Sequence, residues 1–474
     1  MNLVDVENID VSSVGVFDFK RLGEEYLLAN DFGDWLFLSE ADFSAFLDGS
    51  LNTEGETYAD LRQGNFLSAH LDESAAADKL RRRYRCLTTG PRTFQFALNR
   101  AAYEDADFDI AVEEAVMANE VIERALDLAF LSTDQVLEIE ICGHSPLEAW
   151  DQLAHLVEYA GTRNRLAMKD LKLTLVSDLA GIDEEKLQYL VKNQVCLRAR
   201  ISEEIVVKSE GETLDWLSQY NALVRDAAND FKGGTADIEL FCSPRLFGAY
   251  EQVTGFVTQS GSRSVRLTTF DPNRITADAD GTVESDLGSF LVFYGDVLDA
   301  CLSASDAGKG GAAEFSAASY LKRILDGEAG GGFELRNPTV DGVDRLAFSV
   351  GGLIFASDAG RIIHERRGDD IFLLGHVTQT GYRELVTHQT IRVLLIASVL
   401  ECQPGWSNSP YKVFGGASPV RAYLEHGSVQ GNMMDSQSIQ EQVGILDCLF
   451  ERLASATSEE RARMRSMVDS VHPS

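Results

Sequence analysis

Cysteine is the first scarcity. Seven occur in 474 residues, at positions 86, 142, 196, 242, 301, 402 and 448, and no two are near enough for a CxxC or CxxxC site. That spacing excludes an iron–sulfur cluster or a structural zinc held by a local cysteine motif, and thiols scattered in this way read as small buried hydrophobes. The eight histidines are also scattered, with no two within three or four residues, so there is no HExxH. His364-Glu365 stands alone and reads as a solvated face. GxxxxGK(S/T) and GxSxG are absent; Lys309 sits among glycines without the rest of a phosphate loop. No apolar run approaches the roughly 18–20 residues that span a bilayer. Met1-Asn2-Leu3-Val4-Asp5 lacks a signal peptide's basic and apolar regions, so a cytoplasmic protein is expected. Positive charge is short as well: 42 Lys and Arg face 75 Asp and Glu, a net charge of −33. Such a field repels phosphate backbones and argues against non-specific nucleic-acid binding. It fits solubility or a high-salt habitat, or, more sharply, an acidic surface that receives a basic peptide or protein.

What is present is ordinary globular material, 45% hydrophobic and 25% charged, long enough for two or three domains. The first 85 residues read as a small α/β unit. Strands are expected at 14–19, 26–30 and 34–38, with a turn through Asp31 and Gly33 and a helix capped by Ser39. A basic cluster at 79–85 ends the unit as a solvated helix terminus. From about 90 to 300, strands at 94–98, 136–141, 173–176, 197–201, 238–241 and 265–268 alternate with helical segments at 111–130, 147–159, 184–191, 214–228 and 246–258. That alternation predicts βα units and a parallel sheet, open or closed into a barrel. Stretches 304–316 and 326–332 read as Gly-, Ala- and Ser-rich loops around a short helix at 317–325. A hairpin at 345–357 follows, then loop-rich chain, then a final amphipathic helix at 440–453.

Organisation and local wording together resemble the radical S-adenosylmethionine (SAM) maturases of His-Xaa-Ser-type peptide systems. Residues 20–33 look like that family's N-terminal unit, itself similar to the small peptide-recognition domains of ribosomal-peptide maturation enzymes. Gly90-Pro91 and a strand stand where the family enters its barrel, and residues 356–361, 375–382 and 444–453 resemble its C-terminal half. The resemblance implies an incomplete parallel (β/α) barrel at 86–303, preceded by a peptide-recognition-like domain at 1–85 and followed by a SPASM-like extension at 304–474.

The departures from the family fall on its chemistry. CxxxCxxC, which holds the cluster that cleaves SAM, is expected just after the first barrel strand. This chain reads Asn99-Arg100-Ala101-Ala102-Tyr103 there, with no cysteine between Cys86 and Cys142. The family's GGEP appears as Gly143-His144-Ser145-Pro146, where serine cannot supply the acidic group that meets the SAM ammonium. A cysteine-rich PGCxxCxxxxxCGxxPV keeps its frame at Pro404, Gly405, Gly416, Pro419 and Val420. Its cluster positions fall on Trp406, Ser409 and Gly415, and near Ile439, with Trp406 expected as a buried filler. The resemblance with these losses implies a pseudoenzyme with no catalytic, metal or cofactor-binding residue. It implies a partner or peptide-presenting subunit for an active maturase. A second reading is an enzyme of another class at the barrel mouth, with Asp178, Glu203, Glu204 and Asp271 at strand ends, although nothing links them into an acid–base pair. A third is a scaffold or sensor.

Overall fold

The structure, a computed structural model, describes residues 13–100, 115–208, 211–227, 230–276, 279–282, 286–304, 312–327, 336–431 and 436–472. The cluster-loop region at 101–109, the start of the helix expected from 111, and much of the glycine-rich stretches at 304–316 and 326–332 lie outside these residues, as does Met1-Asn2-Leu3-Val4-Asp5.

The N-terminal chain forms a three-stranded antiparallel sheet of β1 (Asp18–Leu22), β2 (Glu25–Ala29) and β3 (Trp35–Ser39), in that order. The β2–β3 hairpin closes when Asn30 N–H donates to Asp34 O at 3.0 Å, and Gly33, at φ +88°, supplies the left-handed residue of the three-residue loop. Ser39 Oγ accepts from Asp42 N at 3.1 Å and starts the helix Glu40–Leu47, as the sequence predicts. The strand expected at 14–19 begins only at Asp18; Val14 makes an isolated bridge to Leu67. Helices Glu56–Gln63 and Glu73–Arg83 complete this part, and Leu28, Leu38, Phe43, Phe46, Leu61, Phe66 and Leu67 give it a small core of its own.

The second sheet has ten strands. β4 (Thr93–Ala97), β5 (Val136–Cys142), β6 (Asp170–Ser177), β7 (Val195–Ile201), β8 (Asp237–Phe241) and β9 (Ser264–Thr268) lie side by side in chain order, all parallel. These are the six strands the sequence predicts. Helices Asn119–Ala129, Trp150–Ala167, Glu184–Lys192, Glu212–Asp226 and Tyr250–Ser260 make the crossovers. A hairpin of β10 (Phe270–Ile275) and β11 (Asp280–Thr282) follows. Beyond β9 the sheet ends in β12 (Ala313–Glu314); beyond β4 it continues through β13 (Arg345–Phe348), β14 (Leu353–Phe355) and β15 (Leu373–His376). Since β12 and β15 are the two ends, the sheet is open.

Several expectations need correction. The stretch read as loop-rich after 357 carries helices Asp358–Arg367, Gln389–Ala397 and Pro419–His426, and a further helix, Ser458–Val471, follows the one predicted as last. Their caps were present in the sequence: Ser357, Ser418 and Thr457 each accept a backbone N–H from the first turn. The two residues of β12 lie inside a stretch read as loop. One helix, Leu287–Ala304, is long and apolar enough to cross a membrane by length and composition, contrary to the expectation that no run comes close. One face of it is buried here, with Phe290, Phe293, Tyr294, Val297 and Leu298 fully buried against Tyr250–Ser260 and Gln437–Ser455, while Val292 on the other face is exposed.

The faces of the parallel strands differ sharply. Side chains alternate along a strand, and one set, including Phe94, Phe96, Ile139, Ile141, Leu175, Leu197, Ile201, Ile238, Leu240 and Val265, is buried under the crossover helices. A parallel sheet covered on both faces is normally apolar on both. The alternate set here is Gln95, Glu140, Arg198, Arg200, Asp237, Glu239 and Arg266. That charged face positions the candidate site.

Candidate functional site

At the C-terminal end of β4 and β5 the two chains are tied together by Asn99. Its Nδ2 donates to Ser145 O at 2.7 Å, its Oδ1 accepts from Ser145 N at 3.2 Å, and its own carbonyl accepts from His144 N at 3.3 Å. Gly143, at φ +137°, permits this approach; a Cβ there would lie 2.5 Å from Asn99 Oδ1. Gly143-His144-Ser145-Pro146 is thus a backbone clasp. Ser145 is buried and His144 is exposed.

Below this clasp the charged face is cross-linked. Glu140 accepts from Gln95 Nε2 at 2.8 Å and from Arg198 Nη1 at 2.9 Å. Burial pushes its carboxyl up, but Arg198 and Arg345 outweigh that and hold it at about 2. Glu239 accepts from Arg200 Nε at 3.1 Å and faces Arg266 at 3.9 Å. Asp237 takes two bonds from Arg263, at 2.8 and 2.7 Å, and despite burial stays ionised below its usual range. From the opposite side Asp358 holds Arg361 at 2.7 Å, and its backbone N–H donates to Gln95 Oε1 at 3.1 Å. Charges buried this deeply persist only when paired.

These side chains form the floor of a cavity of about 140 Å³ whose roof comes from the C-terminal chain. Arg200, Glu239, Arg266 and Arg345 rise from the sheet; Phe270, Asp358, Arg421 and Glu441 close it. Glu441 accepts from Thr269 Oγ1 at 2.6 Å, and burial pushes its carboxyl up.

The residues present do not fit an iron–sulfur cluster. Thiolate ligands must be deprotonated, whereas burial, and then the Asp358 carboxylate at 3.9 Å, pushes the Cys142 thiol far up. Among the described residues no three His, Cys, Asp or Glu side chains group as metal ligands, and residues 101–114 contain no cysteine. Ser145, where the family's acidic residue would meet the SAM ammonium, offers no carboxylate.

Of the strand-end carboxylates, Glu203 accepts from Ser243 Oγ and faces Arg245 at 3.7 Å. Asp178 accepts from Ala180 N in its own turn, and Glu204 is exposed. Asp271 is raised by burial and caps Asn273 N at 2.9 Å. None of these contacts brings two of the four carboxylates together. Sequence reasoning passed over Glu140, Arg198, Arg200, Glu239 and Arg266, although charges two apart inside otherwise apolar strands, as in Arg198-Ala199-Arg200, were the available signal.

At the positions that the resemblance matches to cluster ligands, Trp406 is fully buried and Ser409 caps the turn Pro410–Val413. A Cβ on Gly415 would lie 2.9 Å from the Trp406 ring. This turn docks the N-terminal sheet. Lys412 pairs with Asp18 and, at 2.9 Å, with Asp31; Trp35 Nε1 donates to Ile324 O at 2.8 Å; and Trp35 packs edge-on to Phe450. Beside β3 a groove of about 520 Å³ runs between Trp35 and Leu36, Gln63 and Gly64, Lys79 and Arg82, and the segment from Ile324 to Gly327. The Asn30–Asp34 bond sets the hydrogen-bond alternation, so the amides of Trp35, Phe37 and Ser39 face away from β2.

No family model and no curated protein matches this chain. Solved structures do. A histidine-tagged anSMEcpe with bound AdoMet aligns with a TM-score of 0.60 at 12% identity, over 79% of this chain and 98% of that one. Native anSMEcpe with bound AdoMet and Kp18Cys peptide aligns at 0.58 and 12% identity, over 77% and 98%. Streptococcus suis SuiB bound to precursor peptide SuiA aligns at 0.50 and 11% identity, over 90% of this chain and 99% of that one. The fold of this chain is that of these AdoMet-bound solved structures. The expected α/β architecture with a largely parallel sheet stands with it. At such identities the likeness concerns the fold; what this chain does rests on its own residues.

Proposed function

We propose that this chain is a non-catalytic, radical-SAM-like subunit that holds a precursor peptide for modification by an active maturase. The observation that carries the reading is the edge of β3. It presents outward amides beside a groove of about 520 Å³, the geometry by which an extended peptide adds as a further strand. SuiB, with the same fold, is known with its precursor peptide bound. The lost thiol set and the ion pairs that cross the sheet face support the non-catalytic half of the reading. The partly open space of about 140 Å³ above that face is small beside the roughly 300–1,000 Å³ of ordinary small-molecule sites. The domain limits at 85 and 303, the SPASM-like nature of the C-terminal part and a maturase paralogue as partner belong to the same proposal.

The test is fluorescence anisotropy with a labelled His-Xaa-Ser-type precursor peptide and the full chain. Gln63 is exposed on the groove wall, so Gln63→Trp fills the groove without touching either core. We expect saturable binding by the wild type and at least a tenfold loss in Gln63→Trp. Equal binding by both, or none by the wild type, removes the reading.

A further inference from the structure

The cavity over the charged sheet face is lined by a guanidinium with one edge that has no hydrogen-bond partner among the described residues. Arg421 lies on the helix Pro419–His426, and its guanidinium stacks on the Phe270 ring with Cζ 4.6 Å from the centroid. Its Nε and Nη2 are buried and have no hydrogen-bond partner among the described residues. These two nitrogens form one edge of the guanidinium, the edge whose parallel N–H bonds suit a carboxylate in bidentate fashion. A buried donor without an acceptor is costly, so two on one group call for an acceptor.

The wall does not supply it. Glu239 lies between Arg200 and Arg266, and Asp358 is committed to Arg361. Glu441 shares the cavity and Arg421 favours its charged form against burial, but its carboxyl hydrogen-bonds Thr269 rather than the guanidinium, and Asp341 accepts from Ser418 Oγ at 2.7 Å. No carboxylate of the described wall hydrogen-bonds the Nε–Nη2 edge of Arg421. The space of about 140 Å³ compares with the roughly 150 Å³ that accepts a benzene-sized ligand, which sets the guest near benzene in size. A doubly charged phosphate would be repelled by Glu239 and Asp358; a single planar carboxylate matches both charge and shape.

We propose that the Nε–Nη2 edge of Arg421 receives the carboxylate of a small acid, free or carried on a peptide side chain, in the cavity above the sheet. The site is separate from the β3 groove, so it stands or falls independently of peptide holding there. Because the two nitrogens are buried, the acid reaches them only when the surrounding wall yields.

The experiment uses the full chain labelled with ¹⁵N-arginine. The Arg421 Nε–H resonance is followed while butyrate is added in one titration and acetyl-Gly-Glu-Gly-amide in another. The resonance is expected to move and saturate with one of them, which also identifies the source of the carboxylate. Arg421→Lys keeps the charge and loses the edge, and its affinity, read from the thermal shift, should fall at least tenfold. Gln63→Trp should bind the acid normally. A resonance that neither acid moves, or unchanged affinity in Arg421→Lys, overturns the proposal; should Arg421→Lys fail to fold, the wild-type titration alone decides.

Discussion

At the scale of single residues the charged sheet face makes stability depend on pH in a defined direction. Glu140 is buried, and its folded carboxyl sits at about 2 against an ordinary 4.5. Between those values the unfolded chain binds a proton that the folded chain does not, so the stabilisation is complete above about 4.5 and drains away as pH falls toward 2. The shift corresponds to about 3 kcal/mol at most. Urea melts from pH 6 to pH 2.5 should show this loss, and Glu140→Gln, already destabilised at neutral pH by the uncompensated Arg198, should show a shallower pH slope. An unchanged slope in Glu140→Gln would assign the acid sensitivity to other carboxylates. Part of this was legible in the sequence and part was not. Ser145, Trp406 and Ser409 could be singled out because the resemblance places a family-like frame around them. The Glu140–Arg198 and Glu239–Arg200 pairs could not, because each joins strands whose spacing in space no sequence distance encodes.

At the scale of elements, β4 to β9 were legible because each is a short apolar run bounded by turn residues and separated from the next by a helical repeat. The helices after 357 were hidden by their composition. Asp358–Arg367 is short and mostly polar or charged, yet Asp358, Arg361 and Glu365 are buried through pairing rather than through hydrophobicity. A periodicity search for apolar residues passes over such a helix. The junction between the N-terminal sheet and the rest was equally silent, since its contacts, Lys412 with Asp18 and Asp31 and Trp35 with Ile324 and Phe450, join residues far apart in the chain. Lys412 is buried, and Asp18 and Asp31 hold its ammonium above its usual range against the pull of burial. Lys412→Met leaves Asp18 facing an apolar side chain, at a cost on the order of 1–3 kcal/mol. Hydrogen exchange should show faster opening of β1 and β2 while β5 and β6 keep their protection. Equal acceleration in both sheets would mean that the two parts open as one unit.

At the scale of the whole molecule the net charge of −33 has to be reconciled with a groove that carries Lys79 and Arg82 and a cavity that carries Arg421. Lys79 is paired with Asp34, while Arg82 is an exposed cation of the groove wall. Local cations choose what is bound at contact distance, whereas the total charge governs approach from farther than a Debye length. The two therefore separate by salt dependence. If the surface serves to gather a basic peptide, its association rate should fall about tenfold or more when ionic strength rises from roughly 0.01 to 0.15 M, as the screening length shrinks from about 30 to about 8 Å. An acidic peptide of equal length should associate faster over the same range, because screening removes repulsion. Stopped-flow anisotropy with one peptide of each sign measures both slopes on the same protein. Opposite slopes would make the acidic surface part of peptide capture. Two flat slopes would leave the charge with solubility or a high-salt habitat, and the peptide would then be chosen at the β3 edge alone.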